Sequence, residues 1–235
     1  MRCRLCISIV TNLSPAPLVT FLQTDPFYVL DLNPADPSVL GELEINGFSE
    51  YIHSINDDNT LLVAVGQEAD VNGTVLGVKI ALFNATDPAS PKEISSAAVE
   101  LEEGTWSSSQ VSWDYKAFRW LSLANANGVV ILPVRIDAAW TDTGPPTTGN
   151  FDGFYVYNVS PKDGISLRFK ISHVDSADFY GCYWGSNLPQ RSMVFNGNVT
   201  TLKGHSVVST DLDTGKETWA FDLPKPADQN FCHSW

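Results

Sequence analysis

An all-β fold of the propeller type, with about four recognisable four-stranded blades in a complete or an incomplete ring, is what this sequence predicts, from three observations. First, residues 25–45, DPFYVLDLNPADPSVLGELEI, read strand, turn, strand: 27–32 are apolar, β-branched or aromatic, 33–38 are turn formers, and 39–45 alternate apolar with polar. Second, the unit recurs. Asp31, Asn84, Asn158 and Asp211 each close the same strand of a copy at intervals of 53, 74 and 53 residues, and a period near 50 with four strands per unit is the signature of propeller blades. Third, no helical period competes with the alternation.

Taken in order, residues 7–11 and 18–22 are two short apolar runs around Pro15 and Pro17 that can precede the first hairpin as strands. The second copy has strands at 51–55 and 61–65, a loop at 66–77, and a hairpin of 78–83 and 92–101 across the turn NATDPASP. In the third, 111–123 pairs with 129–136, a long loop covers 137–153, and 154–159 turns through SPKDG into 166–172. The fourth follows an aromatic loop at 174–190 with runs at 192–195, 199–202, 207–212 and 217–223. Residues 19–223 are thus expected to hold the blades, 1–18 stay unassigned, and 224–235 form a tail. Asp and Asn suit the turn positions because their side chains bond the backbone two residues on, while Pro fixes φ.

Composition excludes several function classes. Of 235 residues 43% are hydrophobic and 17% charged, enough for a sizeable core and too few charges for wholesale disorder. Fourteen Lys and Arg against 27 Asp and Glu give a formal charge of −13, which repels phosphate backbones, so no nucleic-acid partner is expected. No stretch approaches the roughly 18 apolar residues of a membrane span, and MRCRLCISIV is interrupted by Thr11 and Asn12 before a signal-peptide core is complete. Cys3 and Cys6 form a CxxC with no second pair, so a zinc ribbon is not expected. Cys182 and Cys232 can form a disulfide if the chain is exported, although spacing does not establish the geometry.

The phrases DPFYVLDLNPADPSVLGELEINGFSEYIH, GVKIALFNATDPASPKEI, WDYKAFRW, GFYVYNV and KISHV resemble the predicted secreted proteins that carry a C-terminal β-propeller domain, distantly similar to WD-type propellers. That resemblance covers about residues 19–223 and implies a propeller, extracellular placement and no assigned chemistry. Propellers of that group have more blades than the four counted here, so the expectation includes a partial chain. The run TDLDTGKETW, residues 210–219, is similar to the docking phrase of pyrroloquinoline-quinone propeller dehydrogenases. Only the fourth copy carries it, and it reads here as a turn followed by a buried Trp219.

In an up-and-down blade the connection between second and third strands leaves from the same end as the crossing to the next blade. All the long connections are of these two types, so one rim carries the candidate binding residues Asp70, Asn72, Trp106, Trp140, Asp142, Tyr180, Tyr183 and Trp184. Aromatic rings beside acceptors and amides suit a glycan or a protein partner. The alternative is that the aromatics fill gaps between blades. Asp70-Val71-Asn72-Gly73 opens like a calcium loop but lacks the later bidentate Glu, so calcium stands beside an ordinary Asn-Gly turn and no other cofactor is expected.

No paired carboxylates and no Ser with His in a nucleophile elbow stand out; His53, His173, His205 and His233 are scattered and read as structural. The expectation is a non-catalytic extracellular binding or scaffolding domain. A glycan-active hydrolase or a quinone-dependent dehydrogenase relative is the alternative. Sequons begin at Asn12, Asn72, Asn84, Asn158 and Asn198; Asn72, Asn198 and Asn12 are the glycosylation candidates, because Asn84 and Asn158 are needed by their turns.

Overall fold

In a computed structural model the residues described are 6–7, 16–19, 26–32, 35–138, 149–173 and 189–224. They form four antiparallel sheets, each built around four strands in chain order. The first holds β1 (Cys6–Ile7), β2 (Ala16–Val19), β3 (Pro26–Asp31) and β4 (Ser38–Glu44). The second holds β5 (Phe48–Ser54), β6 (Leu61–Ala69), β7 (Val75–Asn84) and β8 (Lys92–Ala98). In the third, a short strand, β9 (Thr105–Ser108), joins β10 (Arg119–Ala124), β11 (Asn127–Ala138), β12 (Phe151–Ser160) and β13 (Gly164–Ser172) by pairing with β11. The fourth holds β14 (Gln190–Phe195), β15 (Asn198–Lys203), β16 (Ser206–Asp211) and β17 (Glu217–Asp222). Four four-stranded meanders are the blades of a propeller.

The turn residues sit where side-chain chemistry places them. Asp31, Asn84 and Asp211 end β3, β7 and β16, and Asn158 stands two residues before the end of β12. Asn84 Oδ1 accepts the Thr86 N–H at 2.8 Å. Asp211 Oδ1 accepts from the Thr214 hydroxyl and N–H, both at 2.7 Å, and the hydroxyl first of all holds that carboxyl below its ordinary value.

Three expectations are corrected. Residues 66–77 are not a loop, because the ladder continues through Gly66↔Lys79, Gln67↔Val78 and Glu68↔Gly77 and leaves only 70–74 as connection. Gly66 serves close packing instead of turning: a Cβ there would collide with the Phe48 carbonyl oxygen. Residues 111–123 are not one strand. Ser109 and Asp114 cap two 3₁₀ turns, Gln110–Ser112 and Tyr115–Ala117, by accepting the N–H two residues on, and only Arg119–Ala124 pairs in the sheet. Finally Trp219 is not buried but 45% exposed, because every residue of β17 lies on the open edge of its sheet.

The chain divides into two compact units, residues 1–99 with 122–129 and 158–166, and residues 100–121 with 130–157 and 167–235. In the first, alternate residues of β3, β6 and β7 turn inward, and Phe27, Val29, Leu62, Ala64, Ala81 and Phe83 share one core. The Phe27 and Phe83 rings stack at 4.7 Å. In the second, Val130, Ile131 and Leu132 of β11 and Phe154 and Val156 of β12 have no exposed surface. Burying each such side chain contributes about 1.5–3 kcal/mol. The last strand of the second sheet, β8, alternates exposed and half-buried, as expected of a sheet edge with one covered face.

Candidate functional site

A buried ionic cluster lies at the ends of three strands of the second unit. Arg135 and Asp137 stand two apart on β11, on one face, and the guanidinium meets the carboxylate in a fork: Nε lies 3.0 Å from both oxygens and the terminal nitrogen 2.8 Å from Oδ1. The other terminal nitrogen reaches Asp152 of β12 at 3.4 Å. Lys203, the last residue of β15, pairs with the second oxygen of Asp152. All four side chains are between 6% and 16% exposed. Two cations and two carboxylates balance, which is how charges persist away from water.

His173 adjoins this cluster. It follows β13, its N–H donates to the Asp152 carbonyl at 3.0 Å, and its ring tilts against Phe154 at 5.5 Å. Burial, with the Lys203 charge adding to it, pushes the imidazole down to about 4. Burial also lowers the Lys203 ammonium from its ordinary value, against the opposing attraction of Asp152.

This end of the sheets is where the two longest connections leave. Residues 139–150 follow β11, and residues 173–189 follow β13. Asn150 closes the first of them by accepting the Ala138 N–H on Oδ1 at 2.9 Å. Gln110 accepts the Gln190 N–H on its side-chain oxygen at 2.8 Å where the second rejoins β14, and Arg191 pairs with Asp114 at 2.8 Å beside it. Chemically the arrangement is a clasp. It fixes the strand ends from which both connections depart.

Of the residues the sequence singles out, Trp106 is brought to this place. It lies on β9, not in a loop, in register opposite Asp137, and is 43% exposed. Asp70 and Asn72 belong to the first unit and form the tight turn 70–74: Asp70 Oδ1 accepts the Asn72 N–H at 2.9 Å and the Thr74 N–H at 2.8 Å. The Thr74 bond is the larger cause holding that carboxyl low. Asn72 is exposed. Asn198 uses both ends of its amide, donating to the Asn196 carbonyl at 3.1 Å and accepting from the Thr218 hydroxyl at 3.3 Å. Trp140, Asp142, Tyr180, Tyr183, Trp184, Asn12, Cys182 and Cys232 lie outside the described residues.

Sequence reading did not find Arg135, Asp152 or Lys203, and it placed Asp137 at the start of a loop. Their only signal is a charge inside an otherwise apolar run, as in VRIDA. In the first unit a smaller cluster joins Lys79 to Glu68 at 3.0 Å and Glu93 at 3.4 Å. It lines an open cleft of about 510 Å³ together with Leu43, Glu44, Ile45, Asn46 and Lys92. Among the described residues no three His, Cys, Asp or Glu side chains converge as a metal-ligand set, and no helix is long and apolar enough to cross a membrane.

An uncharacterised protein of Archaeoglobus fulgidus is 53% identical over 77 residues, 32% of this chain and 11% of that protein. One of Methanocaldococcus jannaschii is 41% identical over 104 residues, 44% of this chain and 15% of the relative. The chain therefore matches only a small part of the length of these relatives. Among solved structures, Sqt1 of Saccharomyces cerevisiae aligns at a TM-score of 0.47 and 14% identity, covering 92% of this chain and 47% of that one. The AfRom2 CNH domain aligns at 0.33 and 10%, covering 94% and 73%. The family model described as "Beta propeller domain" matches residues 15–215. With most of its length inside that match and four meanders in its fold, the chain belongs to the beta propeller domain family.

Proposed function

We propose that this propeller is a non-catalytic binding or scaffolding domain working outside the cell, and that it meets a protein or glycan partner at the rim where residues 139–150 and 173–189 begin. The observation that carries the reading is the clasp of Arg135, Asp137, Asp152 and Lys203 beneath that rim. Connections presented by a rigid base lose less entropy on binding than free ones. Each of the two carboxylates is engaged by a cation, so the cluster stabilises a surface and offers no free acid and base pair. Trp106, half-exposed beside the clasp, supplies a flat apolar face of the kind that stacks on sugar rings or packs against peptides.

The test is a glycan-array and pull-down screen with the folded domain beside Trp106→Ala, Trp140→Ala and the double variant Tyr183→Ala/Trp184→Ala. A ligand captured by the parent and lost or weakened at least tenfold in these variants supports the reading. Capture unaffected by all three, or turnover of a glycan by the purified domain, contradicts it.

A further inference from the structure

Lys79 carries a charge to the edge of the first unit's core. On β7 it shares a face with Ala81 and Phe83, which pack with Phe27 and Leu62, and it is only 8% exposed. Register explains how the charge is met. Lys79 stands opposite Gly66 of β6, so no side chain directly across crowds its stem, and Glu68 lies on the diagonal, where its carboxylate takes the ammonium at 3.0 Å. Glu93 of β8 approaches the same nitrogen at 3.4 Å. One ammonium therefore serves two carboxylates.

Acceptors outnumber donors around this point. Both oxygens of Glu68 are taken, one by Lys79 and one by the Ala69 N–H at 3.2 Å, whereas Glu93 meets Lys79 through a single oxygen. The open cleft of about 510 Å³ that these side chains line has Glu44 of β4 on its other side. A smaller void of about 10 Å³ shares Ile45, Asn46 and Lys79 with it and is lined also by Gln67, whose side-chain oxygen is buried without a partner among the described residues. A group that brings N–H donors is what such a surface lacks.

The rest of the lining is of a different kind. Lys92, one residue before Glu93, is exposed and has no ion-pair partner among the described residues, so it is the cation in the cleft that the carboxylates do not engage. Leu43 and Ile45 pack partly against the core and give the cleft an apolar wall. Acceptors, a free ammonium and an apolar wall thus meet between β4 and the second sheet, inside one compact unit.

We infer that this cleft binds a free α-amino acid with an apolar side chain. The ligand's ammonium donates to Glu93 and Glu44, its carboxylate meets Lys92, and its side chain lies on Leu43 and Ile45. The volume suits a small molecule, whose sites run from roughly 300 to 1,000 Å³. Both charged ends are needed, because a ligand lacking either one forfeits a charge-assisted hydrogen bond. The site rests on residues of the first unit alone, so it stands or falls independently of binding at the rim of the second.

Isothermal titration calorimetry of the full chain with L-leucine tests this. The comparison ligands are isocaproate, which lacks the ammonium, isoamylamine, which lacks the carboxylate, and glycine, which lacks the side chain. Leucine is expected to bind at least tenfold more tightly than each of them, and at least tenfold more weakly to Lys92→Ala and to Glu93→Gln than to the parent. Circular dichroism checks that both variants fold, and Glu44→Gln replaces Glu93→Gln if the latter does not. No leucine binding, a comparison ligand bound as tightly as leucine, or leucine binding indifferent to both substitutions overturns the inference.

Discussion

His173 donates its Nε2 hydrogen to the Thr201 hydroxyl oxygen at 2.7 Å, because the Thr201 hydrogen is already given to the Val208 carbonyl at 3.2 Å. Nδ1 is then the bare nitrogen, buried and, among the described residues, without a hydrogen-bond partner. Protonating it would place an unsatisfied N–H and a second positive charge near Lys203.

Acid lability follows with a definite sign. The imidazole titrates near 6.5 when unfolded and about 4 when folded. A depressed histidine leaves stability intact above the unfolded value and removes it as pH falls from 6.5 towards 4, by up to roughly 3 kcal/mol. Burial depresses His53 in the same direction. Urea midpoints measured from pH 7.5 to 4 should fall steeply in the parent and less so in His173→Gln.

The clasp makes a second prediction. Asp152→Ala strands Lys203 and one arm of Arg135, and should cost about 3–5 kcal/mol in denaturant unfolding. Asp152→Leu with Lys203→Met removes both charges and should recover most of that loss, because the fork between Arg135 and Asp137 remains. A double variant as unstable as the single one would show that Lys203 is not held by Asp152.

Core packing in the first unit gives a third. Phe83 has no exposed surface and its ring stacks on Phe27. Phe83→Ala should cost about 3–5 kcal/mol, read from the urea midpoint.

Two glycines separate space from conformation. Gly41 has no room for a Cβ, whereas Gly197 has open space but a φ of +74°. Asn tolerates that backbone conformation, so Gly197→Asn should stay within about 0.5 kcal/mol of the parent. Gly41→Asn should lose about 1–3 kcal/mol by forcing the β7 to β8 turn off β4. Differential scanning calorimetry orders the two.

What the sequence revealed was what local chemistry decides. Asp31, Asn84, Asn158 and Asp211 announce the hairpins because turn geometry is written within a few residues of each. The strand ladders between 66 and 77 were hidden because Gly66 and Gly77 look like loop residues when the neighbour that needs the space, Phe48, is not in view. Residues 111–123 carry apolar spacing that two capped 3₁₀ turns satisfy as well as a strand does. The clasp was illegible for a stronger reason. Its members come from β11, β12 and β15, and only the register of two sheets brings Arg135 near Asp152 and Asp152 to Lys203. The exposed Trp219 is likewise a property of its sheet, since a residue alternating with Phe221 on a strand reads the same whether or not another sheet covers it.

Binding at the rim is tested most directly by hydrogen exchange on the domain with and without its captured partner. Protection should concentrate in residues 139–150 and 173–189 and in β9 around Trp106. Protection confined to the turns at the other end of the sheets, around Asp87, Ser160 and Asp213, would contradict it.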